Sequence, residues 1–202
     1  LFRSMKTVIM YTDGACAGNQ HEENIGGWGC ILQYKEHEKE LWGGEENTTN
    51  NRMELTAPIQ GLSALKEKGL RVLIYSDSSY FVNCFRKKWH KSWQKNGWKT
   101  AAKKPVENRD LWEKLLELTE EQNCEFYLVR GHIKVKEDED GTPDPALLRA
   151  HDEFMEQNGD ISLKEFKIIA ANNNRADELA NEFIRRSRQD LEDQEVENEE
   201  ED

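Results

Sequence analysis

The sequence predicts an α/β fold, a sheet of five strands flanked by helices, and three observations carry that expectation. The first part of the chain contains β-rich, alternating segments separated by glycine-rich and charged turns. Beyond it, segments with apolar residues at helical spacing alternate with short apolar runs. One run, Val72-Leu-Ile-Tyr75, is continuously apolar, as a central strand covered on both faces requires. At 202 residues the chain is long enough for one well-buried domain, with length left for an insertion and a tail but not for a second enzyme domain.

In chain order, residues 1–5 read as an N-terminal extension, with Leu1-Phe-Arg-Ser4 an expression remnant ahead of Met5. Lys6–Thr12 alternates and is rich in β-formers, and Asp13-Gly14 reads as the turn that ends it. Gly26–Tyr34 and Glu40–Glu45 follow as a hairpin joined by a charged turn. From Asn51 to Lys68, Leu55, Ile59, Leu62 and Leu65 recur at helical spacing, with Glu54 in the first turn and Gly69 as the stop. Val72–Ser76 is the next strand, with Asp77 at its C-terminal end, where open α/β sheets bind ligands. Ser79–Lys88, Trp89–Trp98 and Asn108–Glu121 read as helices, and Cys124–Val129 as the last strand, running into Arg130-Gly131-His132.

Asp13, Glu54, Asp77 and Asp177 fall at the edges of these elements, in the contexts YTDG, NNRMEL, YSDSSY and NRADELA. A single Asp is ordinarily a solvated charge. Four acids in such particular contexts point instead to a cage for hard divalent cations, which take oxygen ligands. Two such ions roughly 4 Å apart clamp the attacking and leaving oxygens of a phosphodiester.

Tyr11–Asn19, Thr48–Leu55, Ser76–Tyr80, Gly97-Trp-Lys-Thr100 with Lys103-Lys-Pro105, Gly131-His132 and Arg175–Ala180 together resemble type I ribonuclease H of the bacterial kind. The resemblance covers residues 6–132 nearly continuously and resumes over 173–186. It implies a ribonuclease H-like fold over 6–188, a five-stranded mixed β-sheet flanked by α-helices, with a helical insertion before the last helix. It also implies hydrolysis of the RNA strand of RNA·DNA hybrids, leaving 5′-phosphate and 3′-hydroxyl ends, with two Mg2+ ions for which Mn2+ can substitute. Asp13 would bridge both ions, Glu54 and Asp77 complete one site, and Asp177 the other. His132 matches the family's mobile histidine, and an imidazole suits proton shuttling or product release. Asn19, Asn50 and Asn51 match the positions that read the 2′-hydroxyl of RNA. Thr49 and Asn108 match a DNA-phosphate site, although Asn47 stands where a basic residue is common and Ser79 where a Gln is common.

The net charge of −12 is unevenly distributed. From Arg86 to Arg109 nine cations face the single anion Glu107, whereas Asp190–Asp202 carries nine anions and no cation. Local patches of this kind steer polyanions. In the family resembled, residues 86–109 form the basic handle that grips the DNA strand, and Trp89, Trp93, Lys95, Trp98 and Lys99 become its contacts. Tryptophans at i, i+4 spacing fit core packing equally well.

Residues 133–172 depart from the compact family pattern and read as an insertion, with helix-like spacing over Pro145–Gln157. Asn158–Phe166 has the Gly159 and Glu165 spacing of half a calcium loop, but Phe154 would fill its first ligand position. Ser162-x-x-Glu165 reads instead as a helix capping box. Residues 189–202 read as a disordered acidic tail that could fold against the handle and compete with nucleic acid. Cys16, Cys30, Cys84 and Cys124 are scattered, as reduced cysteines of a cytoplasmic protein are. No apolar run reaches the roughly 20 residues of a membrane span, and a monomer is the default expectation. Two other readings stand beside the nuclease: a non-catalytic hybrid-binding module and a DNA-cutting enzyme on the same fold.

Overall fold

The structure is a computed structural model describing residues 5–18, 24–136 and 141–200, with the side chains of 191, 192 and 194–200 outside the description. Five strands, β1 (Thr7–Ala17), β2 (Ile25–Tyr34), β3 (His37–Glu46), β4 (Arg71–Ser76) and β5 (Asn123–Leu128), form one sheet in the order β3-β2-β1-β4-β5. The β3-β2-β1 pairs are antiparallel and the β1-β4-β5 pairs parallel, which makes the sheet mixed, as expected.

Asp13-Gly14 does not end β1. The strand runs on to Ala17 because β2 keeps pairing with it, from Asp13 opposite Gly29 to Ala17 opposite Ile25. Its other neighbour, β4, stops at Ser76 opposite Thr12. Asp13 is therefore the first residue of β1 beyond the β4 pairing, and it lies beside the end of β4 that carries Asp77. The hairpin between β2 and β3 is also tighter than the charged turn suggests, with Tyr34 opposite His37.

Helix α1 (Asn50–Ser63) starts at Thr49, whose side chain accepts from the Arg52 N–H at 3.2 Å. Glu54 thus lies just past the first turn rather than within it. The helix also stops well before Gly69, because the Ala64 N–H already closes onto the Gln60 and Gly61 carbonyls. Gly69, at φ +72°, is instead the bend that brings its N–H to the Glu121 carbonyl at 2.8 Å. Helices α2 (Ser79–Arg86) and α3 (Trp89–Lys95) are separated at Lys88, which adopts a left-handed φ of 57°, and α4 (Arg109–Glu120) returns to the sheet.

Two cores sandwich the sheet. Met10, Val72 and Ile74 face Leu55, Phe81 and Trp112 of the first helical layer. On the other face, Tyr11, Tyr75 and Tyr127 stand side by side on three adjacent strands, with ring centroids 5.3 and 4.9 Å apart. Phe154 of α5 (Pro145–Asn158) and Phe166 of α6 (Leu163–Glu200) close over this row. Helix α5 begins at Asp144, which caps the Ala146 N–H at 2.7 Å. The insertion therefore supplies part of the second core.

Helix α6 begins at Leu163, within the stretch that reads as an insertion. The capping box forms, with the Ser162 N–H donating to Glu165 at 2.9 Å and the Glu165 N–H to the Ser162 hydroxyl at 3.2 Å. From there a buried stripe of Phe166, Ile169, Ala170, Ala176, Ala180 and Ile184 continues unbroken. Asn172 and Asn174 do not interrupt the helix, because their amides donate to the carbonyls of Ile168 and Ile133. Helix α6 continues through the acidic residues to Glu200. Glu, Gln and Arg are good helix formers, and elongation from an anchored helix needs no new nucleus. Nor does the tail start near the handle. Helix α6 crosses β2 and leaves the sheet past β3, where Arg186 stacks on Trp42 at 4.7 Å. The handle grows from α2, which packs on β5 at the other edge.

Candidate active site

Each acidic residue reaches the site because a glycine lets backbone approach closely. A Cβ at Gly14 would collide with the backbone of Met53 and Glu54, so α1 can lie directly on β1 and set Glu54 beside Asp13. Gly131 does the same below Asp77, whose carboxylate occupies the space a Cβ would need. At Gly29, the partner of Asp13 in β2, a Cβ would collide with the Ala176 carbonyl, so α6 presses its backbone onto the sheet at the turn that carries Asp177.

Asp13, Glu54 and Asp77 each offer a carboxylate oxygen within 4.8 Å of the others. Asp177 stands beside this triad and adds its charge to all three. Its position is fixed by Asn181, whose amide donates to Asp177 Oδ1 at 3.0 Å. The other carboxylate oxygen lies 3.6 Å from His132 Nδ1, an ion pair when the imidazole is protonated. Asp177 is well inside α6 rather than at a helix boundary, for the reason given above.

Burial drives Asp13 far above the usual carboxylate range, and the charges of Asp77, Glu54 and Asp177 push it further the same way. Glu54 rises to about 8, through burial first and Asp77 second. Asp77 is also raised by burial, partly offset by His132. Such a cluster cannot ionise fully without a compensating cation. Glu54 Oε2 is buried with no hydrogen-bond partner, and the triad around it offers only carboxylate oxygens. These residues fit divalent metal.

Around the cluster, the expected substrate residues are unequally placed. Asn50 and Asn51 are exposed at the start of α1, and the Asn50 amide lies 3.4 Å from Glu54 Oε1. Thr49 caps α1, while Asn108 accepts from Arg52 at 3.3 Å and donates to the Tyr80 hydroxyl at 3.4 Å. Asn19 lies outside the described residues. In the handle, Lys95 and Lys99 are exposed and Trp89 is partly so. Trp93 and Trp98 are half-buried and pack on each other at 6.0 Å, with Trp93 also against Trp112 at 5.5 Å. These two rings serve packing as well as any ligand.

Sequence reasoning missed the residues that hold the site in place. Arg52 grips Asp110 through two hydrogen bonds of 3.1 and 3.0 Å while orienting Asn108. Asn181 was visible as an i+4 partner of Asp177. The glycines gave no such signal, because the collision each avoids is with a segment distant in sequence.

The RNase H family profile matches residues 5–141. The chain is 51% identical over 133 residues to the Ribonuclease H of Symbiobacterium thermophilum, covering 66% of this chain and 88% of that one. It is 54% identical over 127 residues to the Ribonuclease H of Chlorobium luteolum, covering 63% and 84% of the two chains. Among solved structures, LC9-RNase H1, a type 1 RNase H with the type 2 active-site motif, is similar with a TM-score of 0.57 and 32% identity, over 64% of this chain and 65% of that one. The native prototype foamy virus protease–reverse transcriptase shares the fold at a TM-score of 0.55 and 20% identity, over 89% of this chain and 21% of that one. The profile match ends ahead of α5 and α6, so Asp177 lies outside it and joins the site through its sequence context and the geometry. With the mixed sheet and the carboxylate cluster at its centre, these likenesses show that the chain belongs to the RNase H family.

Proposed function

We propose that this chain is an endoribonuclease that hydrolyses the RNA strand of RNA·DNA hybrids at the Asp13–Glu54–Asp77–Asp177 cluster, leaving 5′-phosphate and 3′-hydroxyl ends. The observation that carries the reading is the triad of carboxylates, Asp13 and Glu54 buried and Asp77 half-buried, with Asp177 and His132 beside it. An all-oxygen donor set suits magnesium, with manganese as a substitute. Two such ions, when bound, supply an activated water and neutralise the charge that develops on the leaving 3′-oxygen.

The chain's own residues do the rest. Asp13, Glu54 and Asp77 would hold the divalent metal, and Asp177, oriented by Asn181, would add its carboxylate beside them. His132 is exposed and projects from a left-handed backbone position, φ 55°, so its ring is free to move a proton at the leaving oxygen or to help release product. Asn50 and Asn51, with Asn19, read the 2′-hydroxyl, which distinguishes RNA from DNA. Thr49, Asn108 and the handle lysines Lys95 and Lys99 take phosphates of the DNA strand, positioning the duplex without reading its sequence. Trp89, Trp93 and Trp98 shape the handle surface on which that strand lies. The protein acts as a monomer in the cytoplasm.

Purified protein incubated with labelled RNA·DNA hybrid, duplex RNA and duplex DNA tests this reading, each with magnesium, manganese or a chelator. Cutting confined to the RNA strand of the hybrid and abolished by chelator is expected. Cutting of duplex DNA, or binding without cutting, would favour the two other readings.

A further inference from the structure

Helix α5 does more than cover the tyrosine row. A cleft of about 580 Å³ opens between α5 and the segment that follows β5, lined by Asp77 and His132 as well as by Glu153 and Gln157 of α5. Its volume lies within the range of sites that hold small ligands. Arg130 lies in it, 3.2 Å from Glu153, and both side chains are half-exposed. The end of α5 is tied down separately. Arg86, at the base of the handle, donates to the Gln157 carbonyl at 2.7 Å and to Asn158 Oδ1 at 3.0 Å. The wall is therefore fixed at three points: by Phe154 in the core, by Arg130, and by Arg86.

We propose that this cleft is an additional subsite for the RNA strand, taking the ribose-phosphate immediately beside the linkage that is cut. The proposal rests on the hybrid-cleaving reading of the carboxylate cluster, and two of its residues, Glu153 and Gln157, lie beyond the family profile match. A strand whose phosphate sits against Asp77 must leave the cluster along a neighbouring channel, and this cleft is continuous with Asp77. Arg130 is the cation able to take the next phosphate in a bidentate contact. Glu153 holds that guanidinium in place when no strand is bound and keeps the cleft close to neutral. Gln157 offers an amide, which can both donate to and accept from a ribose hydroxyl. Arg130, Glu153 and Gln157 are positioning residues for the substrate and take no part in bond breaking.

The test compares steady-state cleavage of two kinds of hybrid by wild type and variants. In one the RNA strand extends on both sides of the cut; in the other it is shortened to end at the cut, from either end in turn. For Arg130→Ala and Gln157→Ala, KM on the extended hybrid should rise about tenfold, the effect of losing one charged or polar contact, with kcat little changed. The effect should fall to about twofold or less on one of the shortened hybrids, the one whose RNA no longer reaches the cleft. Arg130→Lys should recover part of the loss, and Arg130→Ala should reduce the salt dependence of binding by about one phosphate contact. Glu153→Gln, which releases Arg130, should lower KM. All these side chains are exposed, and unchanged melting temperatures would confirm that the variants fold. Equal losses on extended and both shortened hybrids, or a loss in kcat alone, would overturn the subsite. A wild type that cuts no hybrid would defeat the underlying reading and the subsite with it, a result readily told apart from length-independent losses.

Discussion

Asp13 is surrounded by three other carboxylates and by little water, and two measurable effects follow at the residue scale. Glu54, at about 8, keeps its proton in the folded state at pH values where the unfolded chain has lost it. The unfolded state then binds fewer protons, so stability without metal falls as pH rises from about 4.5 to 8. Magnesium should remove this fall, and Glu54→Gln should flatten it; melting curves at several pH values in chelator and in magnesium would show both. Glu38 works in the opposite direction and in a different window. Its hydrogen bond with Arg175 lowers it to about 2, so its contribution is complete above the ordinary glutamate range and is lost as pH falls toward 2. By the same reasoning, Asp13→Asn in chelator should raise the melting temperature by about 3 °C, the shift expected from roughly 1 kcal/mol of relieved repulsion in a chain of this size. A lower melting temperature for Asp13→Asn would mean that the cluster is not repulsive. The four acids and His132 were legible in sequence because their chemistry sits in their own side chains. Asn181 and Arg52, which act through other residues, were legible only as possible partners.

At the scale of elements, the site depends on helices lying close to strands. Gly29→Ala would set a methyl against the Ala176 carbonyl, and relief would come only by lifting α6 and Asp177 away from the cluster. A loss of stability of about 1–3 kcal/mol is expected from such overpacking, together with a cleavage defect that excess magnesium does not restore. Chemical denaturation and a magnesium titration of the rate would check it. The handle should behave differently. Lys95→Ala and Lys99→Ala remove exposed charges, so hybrid binding should weaken and depend less steeply on salt, while the melting temperature stays put. Trp93→Ala should destabilise the fold as well, since Trp93 packs on Trp112. Sequence periodicity located the five strands and the helices up to α5, while the last helix came from the family resemblance; the ends at Asp13 and Gly69 were misplaced. The β1 end is set by continued pairing with β2, a partner that local periodicity does not show.

At the scale of the whole molecule, the charge asymmetry read from sequence survives, but its geometry changes. The anionic end of α6 projects beyond the β3 edge, and the cationic handle stands on the β5 side of the sheet. Removing residues 190–202 should therefore leave hybrid affinity at moderate salt within about twofold, because repulsion across the molecule is screened over roughly 10 Å at ~0.1 M salt. A large gain in affinity would show that the tail reaches the handle after all. The α/β class was legible because the hairpin and the alternation of strands and helices are written in local patterns, whereas the mixed sheet came from the family resemblance and the strand order only from the structure. The role of the insertion was not legible, because its aromatic contacts with the tyrosine row join segments far apart in the chain.

The account depends most on the four carboxylates acting together on one phosphodiester, and single-turnover cleavage of a labelled hybrid by wild type and Asp77→Asn, at matched occupancy in magnesium, tests this most directly. The variant should bind the hybrid with a Kd within a few fold of wild type and cut it at least about a hundredfold more slowly, as expected for loss of a group that stabilises charge in the transition state. Cleavage by Asp77→Asn at the wild-type rate would contradict the account.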